Sequence, residues 1–491
     1  MSDSPPTVIV LAAGEGKRMR SRTPKVLHPL AGRSMLAHVL GAVRGLEPQR
    51  VSVVVGHGRE QVTPHLADVD PAALPVVQAE QHGTGHAARL ALGELSAEHA
   101  LEGSVLVVPG DAPLLTTETL SRVVRRRDET GAAAVLLTAS MPDPQGYGRV
   151  LRDQETGAVT EVVEHKDATE QQRLVTECAV SVYAFDAAYL ADALGRLTTH
   201  NAQAEEYLTD VVAVAQREGK GLHAVLADDY RETLGVNDRV QLASASRLLN
   251  DRLLDACMRA GVTVVDPTST WIDADVTYEP DATVLPGTQL IGRTHLAGDS
   301  RVGPGCRLVD TVVGEGAVVA TTHADGAEIG PEAVVGPWTY LRPGTRLGRG
   351  AKAGAYVEMK NATVGEGSKV PHLTYVGDAE IGAGVNIGAG TVFVNYDGVE
   401  KHVTSVGDHA RVGADNMLVA PVTVGDGAYT AAGSVITGAV PPGAMAVARG
   451  RQHNVEGWVE RRRAGSAAAE AARSARERDG SEGDNAEGNF Q

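Results

Sequence analysis

Val406-Gly-Asp-His-Ala-Arg-Val412-Gly-Ala-Asp-Asn-Met-Leu418-Val-Ala-Pro-Val-Thr-Val424 sets an aliphatic residue at every sixth position. The same period carries Ile329, Val335, Leu341 and Leu347, then Val364, Val370 and Val376, then Ile381 and Ile387, most of them followed by glycine or preceded by a small residue. A six-residue aliphatic period marks a hexapeptide parallel β-helix, in which three hexapeptides make a triangular coil and coils stack at a strand spacing of about 4.8 Å. A glycine-rich loop region would not hold its aliphatic positions in phase for so long. Residues 267–436 allow roughly nine coils on this reading. The phase slips between Ile387 and Val406, around Asn395-Tyr-Asp-Gly398, which predicts a loop leaving the prism there.

Upstream the pattern differs. Short aliphatic runs at 8–11, 51–55, 105–108 and 133–138 alternate with helix-like stretches, as buried strands do in a mostly parallel α/β sheet. Leu242, Leu249, Leu253, Ala256 and Ala260 then recur at helical spacing, with Asp238 as N-cap and Gly261 as stop, predicting one linker helix. The expected organisation is a Rossmann-like α/β domain over 1–239, the linker helix over 240–260 and the hexapeptide-repeat domain over 261–458. A tail over 459–491, frayed helix at first and mobile or disordered later, follows from its mixed charge and few apolar residues.

The 491 residues suit about two to four domains. Aromatics at 3% leave the cores to Val, Leu, Ile and Ala, and a formal net charge of −17 disfavours nucleic acid and anionic membrane as partners. Cys178, Cys257 and Cys306 are odd in number, far apart and without metal spacing, which fits a reducing compartment rather than a disulfide framework or zinc site. The N-terminus has no basic n-region, and no run of about 18 apolar residues occurs, so the expectation is a cytoplasmic protein acting on small molecules.

Leu11-Ala-Ala-Gly-Glu-Gly-Lys-Arg-Met19 follows the first strand, where α/β folds place ligand loops. A dinucleotide fingerprint would need glycine at Met19, and a Walker A loop would need Ser or Thr at Arg18. What remains is a glycine loop followed by Lys17, Arg18, Arg20, Arg22 and Lys25 with no acid between them. Beside exposed backbone N–H groups these cations suggest a site for several phosphates, the alternative being a solvated basic turn. Asp111, after the run at 105–108, stands either as a Mg²⁺ ligand facing a triphosphate or as a helix cap. The two elements together favour the phosphate and metal reading.

With Pro24-Lys-Val-Leu-His28, Gln78-Ala-Glu-Gln-His-Gly-Thr-Gly-His86, Gly146-Tyr-Gly-Arg149, Val163-Glu-His-Lys-Asp-Ala168 and Gly235-Val-Asn237 added, the chain resembles the bacterial bifunctional N-acetylglucosamine-1-phosphate uridyltransferases / glucosamine-1-phosphate N-acetyltransferases. The resemblance runs from about residue 8 to 458, in order. It implies a nucleotidyltransferase domain that joins N-acetylglucosamine 1-phosphate to UTP, releasing pyrophosphate. By the same resemblance Leu11, Ala12, Ala13, Gly14, Gln78, Gly83 and Thr84 hold the uridine nucleotide, and Lys25 neutralises phosphate. Gly148 and Glu164 contact the amino sugar, while Asp111 and Asn237 hold Mg²⁺.

The repeat region carries Leu341-Arg-Pro-Gly344, Val357-Glu-Met-Lys360, His372-Leu-Thr-Tyr375, Asn386-Ile-Gly-Ala389, Asn395-Tyr-Asp-Gly398 and Arg449. A lone histidine in a repeat protein is usually a surface or stacking residue. His372 departs from that because Arg342, Lys360, Tyr375 and Asn386 lie about one or two coils away, and stacking is expected to bring them together. The resemblance makes His372 the general base of acetyl transfer from acetyl-CoA to the glucosamine 2-amine, for which an imidazole of unperturbed pKa near 6.5 is suited. It makes Arg342, Lys360, Tyr375 and Asn386 the sugar-phosphate contacts. Ala389, Asn395, Tyr396, Ala414, Ala432 and Arg449 become the acetyl-CoA contacts. It further implies a left-handed β-helix, a homotrimer with acetyl sites between subunits, and a role in cell-wall precursor synthesis.

Two positions depart from the family pattern. Ala179-Val180-Ser181 stands where the family has an Asn-Thr/Ser-Gly run whose Asn meets the sugar, and Ala414 stands where a Ser is common. Other readings are a sugar-nucleotide pyrophosphorylase whose β-helix only assembles or regulates, and a degenerate scaffold. The His372/Tyr375 and Arg342/Lys360 set argues against the first, and only Ala179 supports the second.

Overall fold

A computed structural model describes residues 5–97, 101–199 and 205–486. Its first half is a nine-stranded sheet whose main order runs Leu222–Leu226, Ala134–Ser140, Glu177–Asp186, Ser104–Pro109, Thr7–Leu11, Arg50–Val55, Leu74–Val77. The four expected strand runs all fall in this sheet. It is parallel except at Glu177–Asp186, which runs against both neighbours and carries the hairpin of Gly148–Arg152 and Val159–Val163. Alternation along each central strand feeds two cores. Val8, Val10, Leu106 and Val108 pack on one face, and Ile9, Val105 and Val107 on the other. Thr7–Leu11 has a parallel neighbour on each side, and the chain leaves it in one direction and returns on the other; such a reversal opens a crevice at the carboxyl ends of the strands.

The linker helix is Arg239–Arg259, N-capped by Asp238, whose carboxylate accepts from Gln241 N–H at 2.8 Å. Its buried stripe is Ala245, Leu249, Leu254 and Cys257, so the expected Ala256 and Ala260 face outward. The helix packs onto two bodies in turn, and its last turns follow the prism rather than the sheet. Ala245 and Leu249 join Leu30 and Leu114 of the first domain, whereas Leu254 and Cys257 join the prism core. Asn250 is buried between them: its Nδ2 donates to Thr270 O at 2.9 Å and its Oδ1 accepts from Ile272 N–H at 3.0 Å. Arg247 stacks on Trp271, 4.2 Å from the ring centroid.

The second half is a left-handed parallel β-helix, with one face an 11-stranded sheet and the other two joined in a 17-stranded one. The inward positions of the 11-stranded face include Val284, Val302, Val319, Val335, Val370, Ile387 and Val412, all buried, at about 1.5–3 kcal/mol for each fully buried aliphatic side chain. This face starts at Thr263–Val264 and ends at Met445–Ala446, so the prism is longer at both ends than the nine coils expected. Its terminal coils lack the in-phase aliphatics that marked the rest. Buried threonines turn the corners: Thr345 Oγ1 donates to Arg342 O at 2.7 Å and Thr391 Oγ1 to Gly388 O at 2.7 Å. The predicted loop is present. Gln289 lies beside Arg307, but Ile381 lies beside Val406, a coil seven residues longer.

Helices Trp458–Arg462 and Ala467–Ala486 follow, and residues 487–491 of the tail lie outside the described residues. The second helix runs further than the expected fraying. Ser466 Oγ accepts from Ala469 N–H at 3.2 Å, alanines follow, and Arg476 pairs with Glu460 at 3.2 Å.

Candidate active sites

The crevice of the α/β domain gathers residues far apart in the chain. Gly110 N–H donates to Leu11 O at 2.8 Å, and Gln81 Nε2 donates to Ala13 O at 2.8 Å. Gln78 Nε2 donates to Gly83 O at 3.0 Å, and Gly83, at φ 104, opens the helix Thr84–Leu95 without a side-chain cap. Gly85 N–H is taken by Glu206 O at 2.8 Å, and the positive end of the helix dipole still favours an anion nearby. Leu11, Ala12, Ala13, Gly14, Lys25, Gln78, Gly83, Thr84 and Asp111 thereby line one cavity of about 380 Å³.

At the edge of this cavity Lys25 Nζ is ion-paired with Asp111 and lies 3.3 Å from Asn237 Oδ1. A carboxylate and an amide oxygen converge on one cation. Asp111 is not the cap of the next helix, because Thr116 is: its Oγ1 accepts from Thr119 N–H at 3.2 Å. The expected cluster of five cations does not form. The loop turns through left-handed Gly16 and Arg20, which leaves Arg20 and Arg22 exposed and sets Lys17 against Glu15 at 3.0 Å. Only Lys25 and Arg18 line the clefts.

Gly148, Glu164, Asn237 and Asp111 line the adjoining cavity with Ala179 and Ser181. Burial pushes the Glu164 carboxyl above the usual range, Asp167 and Asp210 push the same way, and the Thr209 hydroxyl 3.4 Å away opposes them. A Cβ on Gly148 would sit 3.3 Å from Val162 Cγ1 and 3.7 Å from both Glu164 oxygens, which puts this glycine directly beside the carboxylate.

In the prism one corner is a column of left-handed residues: Trp338, Tyr356, Leu373, Gly390, Asp415 and Gly433. Gly390 N–H bonds His372 O at 3.4 Å, Asp415 N–H bonds Ala389 O at 2.7 Å, and Gly433 N–H bonds Ala414 O at 2.8 Å. His372, Ala389, Ala414 and Ala432 therefore occupy the same position of successive coils, along one edge. Arg449 lies at the end of this edge, next to Ala448, which donates N–H to Ser434 Oγ at 3.2 Å.

Around that corner Glu358 and Tyr375 are register partners, and Arg342 Nη1 donates to Glu358 Oε1 at 2.9 Å. Lys401, from the extruded loop, holds the Lys360 ammonium below the usual lysine range. Two neighbouring ammonium groups would both be favoured by an anion bound beside them. A Cβ on Gly377 would lie 2.5 Å from the Tyr375 hydroxyl and 2.7 Å from Asn395 Nδ2, so both side chains cover that glycine. Buried Asp378 accepts from Asn361 Nδ2 at 2.8 Å and from Asn395. Tyr396 is exposed, its hydroxyl donating to Gly398 O at 2.6 Å. Stacking brings Arg342, Lys360 and Tyr375 together, but Asn386 pairs with Lys369 and Arg411 on the face that carries His372. The expectation that stacking alone unites all five is corrected: the corner at Leu373 divides them.

Residues 8–156 match the MobA-like NTP transferase domain family. The whole chain is similar to the bifunctional protein GlmU of Streptomyces avermitilis, 60% identical over 468 residues that cover 95% of this chain and 97% of that protein. Its counterpart in Streptomyces griseus subsp. griseus is 60% identical, covering 97% and 99%, and that of Corynebacterium jeikeium 52%, covering 96% and 96%. The chain belongs to the GlmU family. It is accordingly an enzyme with uridylyltransferase and acetyltransferase activities.

Against the GlmU family pattern, Ala179 is buried on the wall of the second cavity, and Ser181, where the family has glycine, has a left-handed φ of 59. Ala414 is exposed on the small-residue edge. Sequence reading missed Gln81, Thr209, Ser181 and Lys401. Gln81 stood inside a quoted motif, whereas Lys401 carried no signal until the loop folded back to Lys360.

Proposed function

We propose that the chain makes UDP-N-acetylglucosamine in two steps: acetyl-CoA-dependent N-acetylation of glucosamine 1-phosphate, then Mg²⁺-dependent uridyl transfer from UTP. The observation that carries the second step is the convergence of Asp111 and Asn237 oxygens on the Lys25 ammonium beside a cavity lined by Leu11, Gly14, Gln78 and Gly83. Among the described residues no cluster of three or more His, Cys, Asp or Glu side chains could hold a metal. Two oxygen donors facing a phosphate cleft fit Mg²⁺, which takes its other ligands from phosphate and water. Bound there, Mg²⁺ would neutralise charge on the triphosphate. Lys25 is placed to turn from Asp111 to the phosphates. An oxygen of the sugar phosphate attacks the α-phosphorus in line, and pyrophosphate leaves. Such transfer needs positioning and charge neutralisation, and no protein nucleophile.

For acetyl transfer, Arg342, Lys360 and Lys401 offer an anion site for the sugar phosphate. The run of Ala389, Ala414 and Ala432 leaves an open edge for the acetyl-CoA arm beside His372. The glucosamine nitrogen attacks the thioester carbonyl, His372 takes its proton, and the thiolate of coenzyme A leaves. Because one chain puts His372 and Asn386 on a different face from Arg342, Lys360 and Tyr375, we propose a homotrimer whose acetyl sites lie between copies. The exposed Trp338–Tyr356 stack, with ring centroids 5.3 Å apart, and exposed Leu373 give that contact an apolar strip. Three buried, free cysteines suit the cytoplasm, and no helix among the described residues is long and apolar enough to cross a membrane. Assaying the purified protein for each half-reaction separately tests the proposal. Activity in one alone would remove half of it.

A further inference from the structure

Ser181 breaks a backbone rule where the two cavities of the α/β domain meet. Glu177–Asp186 pairs regularly with Ala134–Ser140 up to Ala179 and again from Tyr183, and the register slips between them. Such bulges occur beside active sites, where they re-aim a side chain. Ser181 lies in the slip with φ 59, a region that costs a residue with a Cβ and favours glycine. The strain is not relieved by burial, since Ser181 is exposed. Its side chain lines the nucleotide cavity with Leu11 and Thr84, and also the cavity holding Glu164 and Ala179. The buried Tyr183 lines two of these cavities beside it. Two residues away Ala179 lines the same wall and offers no polar atom.

We propose that Ser181 is a substrate contact of the uridyl site, its hydroxyl hydrogen-bonding a hydroxyl of the hexosamine phosphate and supplying the polar group that Ala179 lacks. The inference rests on the uridyl-transfer reading above.

Ser181→Gly is the natural test, because glycine suits this φ and the variant is expected to melt no lower than the parent. Removing one neutral hydrogen bond should raise the KM for N-acetylglucosamine 1-phosphate about two- to tenfold, with the KM for UTP unchanged and kcat little altered. Calorimetric binding of UDP-N-acetylglucosamine should weaken by the same factor. An unchanged or lowered KM would overturn the proposal and make the serine a passive or obstructing side chain. If the parent binds UDP-N-acetylglucosamine but transfers no uridyl group, the functional reading fails, and the binding ratio between parent and Ser181→Gly still decides the role of Ser181. Equal affinities would then refute it. A parent that neither binds nor transfers overturns both.

Discussion

The α/β cleft draws its groups from segments as far apart as Leu11, Gln78, Asp111, Glu164 and Asn237, and one chain closes the site. The β-helix sets its candidate groups along successive coils, and one chain presents them on two neighbouring faces. An open twisted sheet converges at its strand ends, whereas a prism displays residues outward and needs another surface to face them. Convergence by topology and convergence by assembly should fail differently under mutation.

Asp111→Ala is expected to lower uridyl transfer by about 10²–10³-fold, the scale of losing a preorganised charge, and to leave acetyl transfer intact. Near-parental uridyl transfer at saturating Mg²⁺ would deny Asp111 its part. His372→Ala should lower the kcat of acetyl transfer by about 10²–10⁴-fold, with uridyl transfer untouched. If only KM rises, the base lies elsewhere. Copies carrying His372→Ala, refolded together with copies carrying Lys360→Ala, should regain part of the acetyl transfer that each lacks alone. Failure to regain any would place both half-sites within one chain.

Smaller effects probe the cleft wall. Ala179→Asn should lower the KM for N-acetylglucosamine 1-phosphate about two- to tenfold at fixed UTP and Mg²⁺. A parent inactive until Asn is restored would show that this position disables the domain. Glu164→Gln should weaken sugar binding yet raise Tm at pH 7 by roughly 1–3 °C. The folded carboxyl holds its proton more tightly than the unfolded one, so its ionisation costs stability above the unfolded pKa of about 4.3. The gain should vanish below about pH 4, and a gain that persists there would point to packing instead.

The repeat was legible because an inward aliphatic position recurs whatever its neighbours do, and Ile329, Val335, Leu341 and Leu347 advertise the fold one hexapeptide at a time. The ends of the prism were not, since Thr263 and Met445 lie in coils without that phase. The linker stripe failed by one position for a similar reason: Leu254 and Cys257 answer to the prism, which the local period of the helix does not encode. In the cleft, motif residues could be named from the chain, but which loop cations turn inward depends on the left-handed turns at Gly16 and Arg20. That Ser181 takes a left-handed φ depends on a register slip between strands. His372 and its coil neighbours could be named from the repeat spacing, but a corner one residue away at Leu373 decides which of them share its face.

Asn250 satisfies Thr270 O and Ile272 N–H, groups that point away from the prism, where an earlier coil would otherwise bond them. A side-chain amide here imitates the peptide of a missing strand. A bare end of a parallel β-helix is a template on which another chain can add strands, and Asn250, carried by the helix that joins the two domains, occupies two of the backbone groups that such a strand would need.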